Sequence, residues 1–102
     1  MARSSKLESG FQDKLRDELK KMFPGCYVLK QDQFQGIPDL LILYGNRWAA
    51  LENKRSANAK KRPNQEYYVN DMNEKAFARF IFPENKDSVL NELQAYFGGG
   101  SK

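Results

Sequence analysis

The apolar positions change period several times along the chain, and each change marks an element. Leu7, Phe11, Leu15, Leu19 and Met22 recur at intervals of four and three, the spacing of one helical face. They predict a helix from about Ser5 to Phe23, ended by Pro24-Gly25, with Met1 to Ser4 as a mobile polar arm before it. Cys26 to Gln31 reads as a strand, followed by a glutamine-rich polar connection to Gly36. Two apolar runs come next, Leu40-Leu41-Ile42-Leu43-Tyr44 and Arg47-Trp48-Ala49-Ala50-Leu51. Between them Gly45-Asn46 suits a tight turn that needs positive φ, so the runs form an antiparallel hairpin. Arg55 to Lys61 has no periodicity and reads as a loop. Pro63 fits the first turn of a second helix that reaches about Lys75. Ala78 to Phe82 makes a fourth strand, stopped by Pro83. A last helix from about Asp87 or Ser88 carries Val89, Leu90, Leu93, Tyr96 and Phe97 on one face, and Gly98-Gly99-Gly100 reads as its terminator and the start of a tail. The order is helix, three strands, helix, strand, helix: an α/β chain without internal repeats.

A length of 102 residues supports a single domain with one core. No apolar run approaches membrane-spanning length and no secretory pattern follows Met1, so a soluble, intracellular protein is expected. The lone Cys26 has no partner for an internal disulfide and reads as a small buried hydrophobe. The chain contains no histidine, and this count narrows the chemistry most. It excludes Ser-His-Asp and Cys-His nucleophile pairs, a histidine general base and histidine-ligated zinc. With a single thiol, an all-cysteine zinc site is excluded too. Oxygen ligands remain, and they favour Mg²⁺ or Mn²⁺.

Polar residues close both strands of the hairpin on the same side. Asp39 opens the first, after Gly36-Ile37-Pro38, and Glu52-Asn53-Lys54 ends the second. Strand residues two apart share a face, so Glu52 and Lys54 point the same way, and the hairpin brings Asp39 towards Glu52. Two converging carboxylates beside an amine suit a divalent metal and a phosphodiester. The plainer alternative is a Pro-Asp turn with Glu52 paired to Lys54 on a solvated strand end. On the second helix Gln65, Tyr68, Val69 and Met72 follow the i, i+3, i+4, i+7 pattern, which turns Gln65 inward. An inward amide needs a partner, and Lys54 or a water at the metal would serve; bonding a free amide at the helix start is the alternative.

The charge is uneven as well. Lys plus Arg number 17 against 13 Asp plus Glu, a net charge of +4, and Lys54, Arg55, Lys60, Lys61 and Arg62 follow the carboxylates with no acid among them. Such a run draws a phosphate backbone towards the site, unless it is simply a solvated loop. The aromatics at Phe11, Phe23, Phe80, Phe82, Tyr96 and Phe97 fall on inward faces and read as core. Trp48 suits either core or interface.

These residues resemble the PD-(D/E)XK nucleases, with Pro38-Asp39 and Glu52-Asn53-Lys54 as the motif. Within that superfamily the chain is similar to the virus-type replication-repair nucleases, through Gly36 before Ile-Pro-Asp, Gln65 in Arg62-Pro63-Asn64-Gln65, and Glu8 near the start of the first helix. The likeness spans about Glu8 to Phe97. It implies a restriction-endonuclease-like αβββαβ core, a mixed sheet flanked by helices, with one extra C-terminal helix. It also implies Asp39 and Glu52 as metal ligands with the Asn53 backbone carbonyl, Lys54 and Gln65 as catalytic partners, and Glu8 as a further catalytic residue at the metal, directly or through a water. Ser5 three residues before Glu8 gives the spacing of a capping box, a second role open to that glutamate. Asn53 departs from the apolar residue usual in the family, a mild departure if the carbonyl is the ligand.

The resemblance implies a Mg²⁺-dependent endonuclease, Mn²⁺ substituting, that cuts branched DNA such as Holliday junctions and is of the small stand-alone kind associated with bacteriophages. A symmetric homodimer follows from the need for two sites on a junction, with Tyr44, Trp48, Tyr96 and Phe97 as candidate surfaces. A DNA-binding module without cleavage is the first rival, and a nuclease subunit of a restriction or transposition complex the second.

Overall fold

A computed structural model of the chain describes residues 2–99, with side chains from residue 10 to residue 98. Helix α1 spans Ala2–Met22, followed by strands β1 (Tyr27–Lys30), β2 (Leu40–Tyr44) and β3 (Arg47–Asn53). Helix α2 (Pro63–Lys75), strand β4 (Ala78–Ile81) and helix α3 (Lys86–Gly99) complete the chain. The order of elements is the one expected from periodicity. Some ends differ: Ala2 to Ser4 continue α1 instead of forming an arm, and Gly98 and Gly99 continue α3 instead of terminating it. The remainder of the expected tail, Gly100 to Lys102, and Met1 lie outside the described residues.

The four strands form one mixed sheet in the order β1-β2-β3-β4. β1 with β2 and β2 with β3 run antiparallel, and β3 with β4 run parallel through the α2 connection. Tyr44 pairs with Arg47, leaving a two-residue turn in which only Gly45 has positive φ, 62°. Glycine first and an ordinary second residue is the pattern of a type II′ turn, whose twist matches the strands it joins.

Strand alternation divides the apolar residues between two layers. Leu40 and Ile42 of β2 and Ala49 and Leu51 of β3 face α1 and α3, where they are buried with Leu15, Leu19, Phe23, Leu93 and Phe97. Phe23, Tyr44 and Phe97 meet as a triangle of rings with centroids 5.0 to 5.4 Å apart. That triangle holds the last turn of α3 in place and accounts for a helix that outlasts its glycines. Each fully buried leucine here contributes about 1.5–3 kcal/mol. On the other face Ala50 and Ala78 are covered by Val69 of α2, with Leu41, Trp48, Met72 and Phe80 partly buried around them.

Three of the four aromatics expected at an interface are thus in or against the main core: Phe97 is buried, and Tyr44 and Tyr96 pack on it. Trp48 packs beneath α2. Cys26 is half-buried, a degree short of the buried position expected for it. Among the described residues the large apolar side chains that are exposed lie elsewhere, at Tyr27, Leu29, Phe34 and Tyr67.

Candidate active site

Asp39 ends the connection between β1 and β2. Its carbonyl accepts the Gln31 N–H at 2.9 Å, which extends the β1–β2 ladder by one step. The preceding connection is fixed at two points. The Gln31 side chain donates from Nε2 to the carbonyls of Phe34, Ile37 and Pro38 at 3.0 to 3.3 Å, and its Oε1 accepts the N–H groups of Gln33 and Phe34 at 3.1 to 3.2 Å. Gly36 has φ +91°, and a Cβ there would stand 2.8 Å from Asn64 Nδ2 and 3.1 Å from the Tyr68 ring. Only glycine satisfies both the conformation and the close approach of α2. Pro38, fully buried, sets the chain for β2.

The register then brings the acids together. Leu40 pairs with Leu51, so Asp39 stands across the ladder from Glu52. Asp39 Oδ1 accepts the Asn53 backbone N–H at 3.1 Å and the Asn53 Nδ2 at 3.2 Å, while Oδ2 accepts Gln12 Nε2 at 3.1 Å. Glu52 is buried and its Oε2 accepts Gln65 Nε2 at 3.1 Å. The Gln65 Oε1 in turn accepts Lys54 Nζ at 2.8 Å and the Arg62 backbone N–H at 3.1 Å.

Both roles weighed for Gln65 are therefore realised at once. As the third residue of α2 it bonds the amide that precedes the helix, and the same side chain ties Lys54 to Glu52. The backbone of Lys54 is fixed by its N–H to the Ile81 carbonyl at 2.9 Å. Lys54 and Glu52 are on one strand face, as their spacing requires. One helix supports the site from each side of the sheet, α1 through Gln12 and α2 through Gln65.

Gln12 is a site residue that the sequence reading passed over. It is buried, and it lies three residues before Leu15 and seven before Leu19, so a polar residue inside the apolar stripe was the available signal. The backbone of Glu8 belongs to α1, one turn before Gln12, but its side chain is outside the described residues. Asn53 is 5% exposed, and its Oδ1 is buried without a hydrogen-bond donor.

The basic segment continues from the site. Arg55, Lys60 and Arg62 are exposed, and none of them makes an ion pair among the described residues. Lys61 differs, lying over the rings of Phe80 and Phe82 at 5.3 and 5.7 Å. The segment is pinned where Ala57 N–H donates to Glu84 Oε1 at 3.2 Å. A groove of about 400 Å³, lined by Phe11, Arg55, Ser56 and Pro83, separates it from α1.

Among the described residues no group of three or more His, Cys, Asp or Glu gathers, and Asp39 and Glu52 are the acidic side chains described at the site. The donor types fit a hard, oxygen-preferring divalent cation: two carboxylates, each held by a glutamine amide, and an Asn53 Oδ1 that is buried without a donor among the described residues. No helix among the described residues is long and apolar enough to cross a membrane. No known family, curated protein or solved structure matches the chain.

Proposed function

We propose that this chain is a Mg²⁺-dependent DNA endonuclease of the PD-(D/E)XK kind, close to the virus-type replication-repair nucleases, that hydrolyses phosphodiesters in branched DNA. The observation that carries the reading is the bridge through Gln65, which joins Lys54 to Glu52 while Asp39 stands across the ladder. A solvated strand end would pair Lys54 with Glu52 without enlisting a residue of a separate helix.

Asp39, Glu52 and the Asn53 backbone carbonyl would hold the cation, and Glu8 would support it from outside. When bound, the cation polarises the scissile phosphate and lowers the pKa of the attacking water. The other functions belong to side chains. Lys54 Nζ, aimed by Gln65 Oε1, orients the attacking water and offsets the charge that grows on the phosphorane. Gln12 and the Asn53 amide hold the Asp39 carboxylate in one orientation, which spares the reaction that reorganisation. Water attacks phosphorus as it gives up a proton to solvent, the P–O bond to the leaving strand breaks with its oxygen taking up a proton from solvent, and no covalent enzyme intermediate forms. Exposed Arg55, Lys60 and Arg62 draw the backbone towards the acids.

The working species in this proposal is a homodimer, since one chain supplies one Asp39/Glu52 pair and a junction has two strands to cut. The surface proposed for it moves to the exposed side of β1. Tyr27 and Leu29 alternate there with inward Val28, and α2 packs instead on β3 and β4.

Incubating labelled four-way junctions, flaps and linear duplex with the protein, with and without Mg²⁺, tests the proposal. Cation-dependent cutting of a branched substrate is expected. Binding without cleavage under every condition would leave the chain a DNA-binding module.

A further inference from the structure

The loop that delivers Asp39 has a second feature, at its tip. Phe34 is 67% exposed, yet the backbone on either side of it is hydrogen-bonded. The Gln31 amide makes five hydrogen bonds to backbone groups of this loop, two of them to the N–H and carbonyl of Phe34 itself. Both acceptor lone pairs of Oε1 are used, and the two Nε2 hydrogens are shared among three carbonyls. Two residues on, Gly36 is packed against Asn64 and Tyr68. These contacts fix the backbone with the Phe34 ring directed outward.

Beside the ring is a hollow of about 340 Å³ lined by Lys30, Gln31, Asp32, Gln33, Phe34 and Ile37. This volume is within the range of about 300–1,000 Å³ typical of ligand sites. Phe34 and Ile37 give it an apolar wall, and Lys30, exposed at the end of β1, adds a cation. Asp39 follows Phe34 by five positions, so Phe34 is at most about 18 Å along the chain from that carboxylate.

We infer that Phe34 and this hollow bind an unpaired nucleobase, the ring stacking on its face and Lys30 meeting its phosphate. The inference rests on the nuclease reading and narrows its substrate: DNA with an unstacked nucleotide a short distance from the bond to be cut. Within the hollow Lys30 is offset by Asp32, so the charge that favours this occupant is that of the chain, +4 overall, with exposed Arg55, Lys60 and Arg62 beside the carboxylates. The base must be unpaired because both faces of a base inside a duplex are covered by its neighbours. Stacking on an aromatic side chain is sequence-tolerant, and a ring ordered beforehand adds little entropic cost on binding.

The test compares two DNAs of one sequence, a continuous duplex and the same duplex with a short single-stranded gap, bound by the full chain in EDTA. Wild type should prefer the gapped DNA. Phe34→Ala should weaken gapped binding by about 10-fold and leave duplex binding unchanged, while Phe34→Trp keeps the preference. Phe34 is exposed, so both variants should melt as wild type does. Equal losses on both DNAs, or no loss on either, would overturn the inference. A Phe34→Ala protein whose sedimentation shows a broken dimer would overturn it too, making the ring a protein contact. Cleavage reports separately: Mg²⁺-dependent cutting without any gap preference leaves the nuclease standing, and gap preference without cutting leaves the base site standing.

Discussion

Gln65→Glu alters the bridge at the site with almost no change in shape. In the wild-type chain Gln65 Nε2 donates to Glu52 Oε2 at 3.1 Å and Gln65 Oε1 accepts Lys54 Nζ at 2.8 Å. The new carboxylate replaces that donor with a second negative oxygen, removing a hydrogen bond to a charged group worth about 1.5–3 kcal/mol. Like charges at that separation repel by about 5 kcal/mol at an effective dielectric near 20, and the stronger contact with Lys54 returns about 6 kcal/mol. The two Coulomb effects nearly cancel, so Gln65→Glu alone should cost only about 1.5–3 kcal/mol, set by the lost hydrogen bond. In a Lys54→Met background the attraction is gone. There the repulsion is unopposed, and because protonating one carboxylate relieves part of it, the same substitution should cost about 2–3 kcal/mol more, the upper end of coupling between contacting residues. The pH dependence follows with a definite sign. With two carboxylates side by side and no lysine, one of them has its folded-state pKa raised above its unfolded value. The folded state then binds more protons than the unfolded state, and the stability of the double variant falls as pH rises through that raised value. Urea unfolding of wild type, both single variants and the double variant, at several pH values without metal, measures all four corners of the cycle. Additive effects, or a double variant indifferent to pH, would refute the Glu52–Gln65–Lys54 bridge.

Three further outcomes follow from particular contacts. Gly36→Ala should destabilise the chain by about 2 kcal/mol or more, because alanine must adopt φ +91° and crowd Asn64 and Tyr68; thermal melting unchanged from wild type would contradict the loop's second anchor. Replacing Arg55, Lys60 and Arg62 with alanine should weaken all DNAs alike and flatten log K against log salt by about 0.9 for each lost phosphate contact, an unchanged slope meaning the segment faces away from the substrate. Burial pushes the Cys26 thiol above its ordinary pKa, against a smaller opposing pull from Lys20. Alkylation at pH 8 should therefore be slower in the native chain than in denaturant, since the thiolate is the nucleophile. The same shift makes a contribution to stability that is complete below the ordinary thiol pKa and lost as pH rises through the raised one; equal alkylation rates in the two states would contradict it.

The hairpin, its turn and the inward Gln65 were legible because each obeys a local rule: strand alternation, a glycine-led turn, a polar residue in an apolar helical face. Gln12 obeyed the same rule and was missed, because Phe11 beside it made a stripe of Leu7, Phe11, Leu15 and Leu19 look complete. Gln31 could not be found by pattern. Its five bonds go to backbone groups, which carry no sequence signal. The glycines at the end of α3 were misread for a related reason. A glycine lowers helix propensity by about 1 kcal/mol relative to alanine, and the Phe23–Tyr44–Phe97 contacts that hold the last turn come from distant segments. Those contacts also explain why Tyr44 and Phe97, which looked like surplus aromatic surface, are spent on the core.

The central claim is that Asp39 and Glu52 together hold the cation that hydrolysis needs. Single-turnover cleavage of a branched DNA at saturating Mg²⁺, comparing wild type with Asp39→Asn and Glu52→Gln, tests it most directly. Each variant should lose at least about 10²-fold in rate, the scale for removing one electrostatic element of a transition state, while DNA binding persists. Wild-type cleavage by either variant would contradict the account.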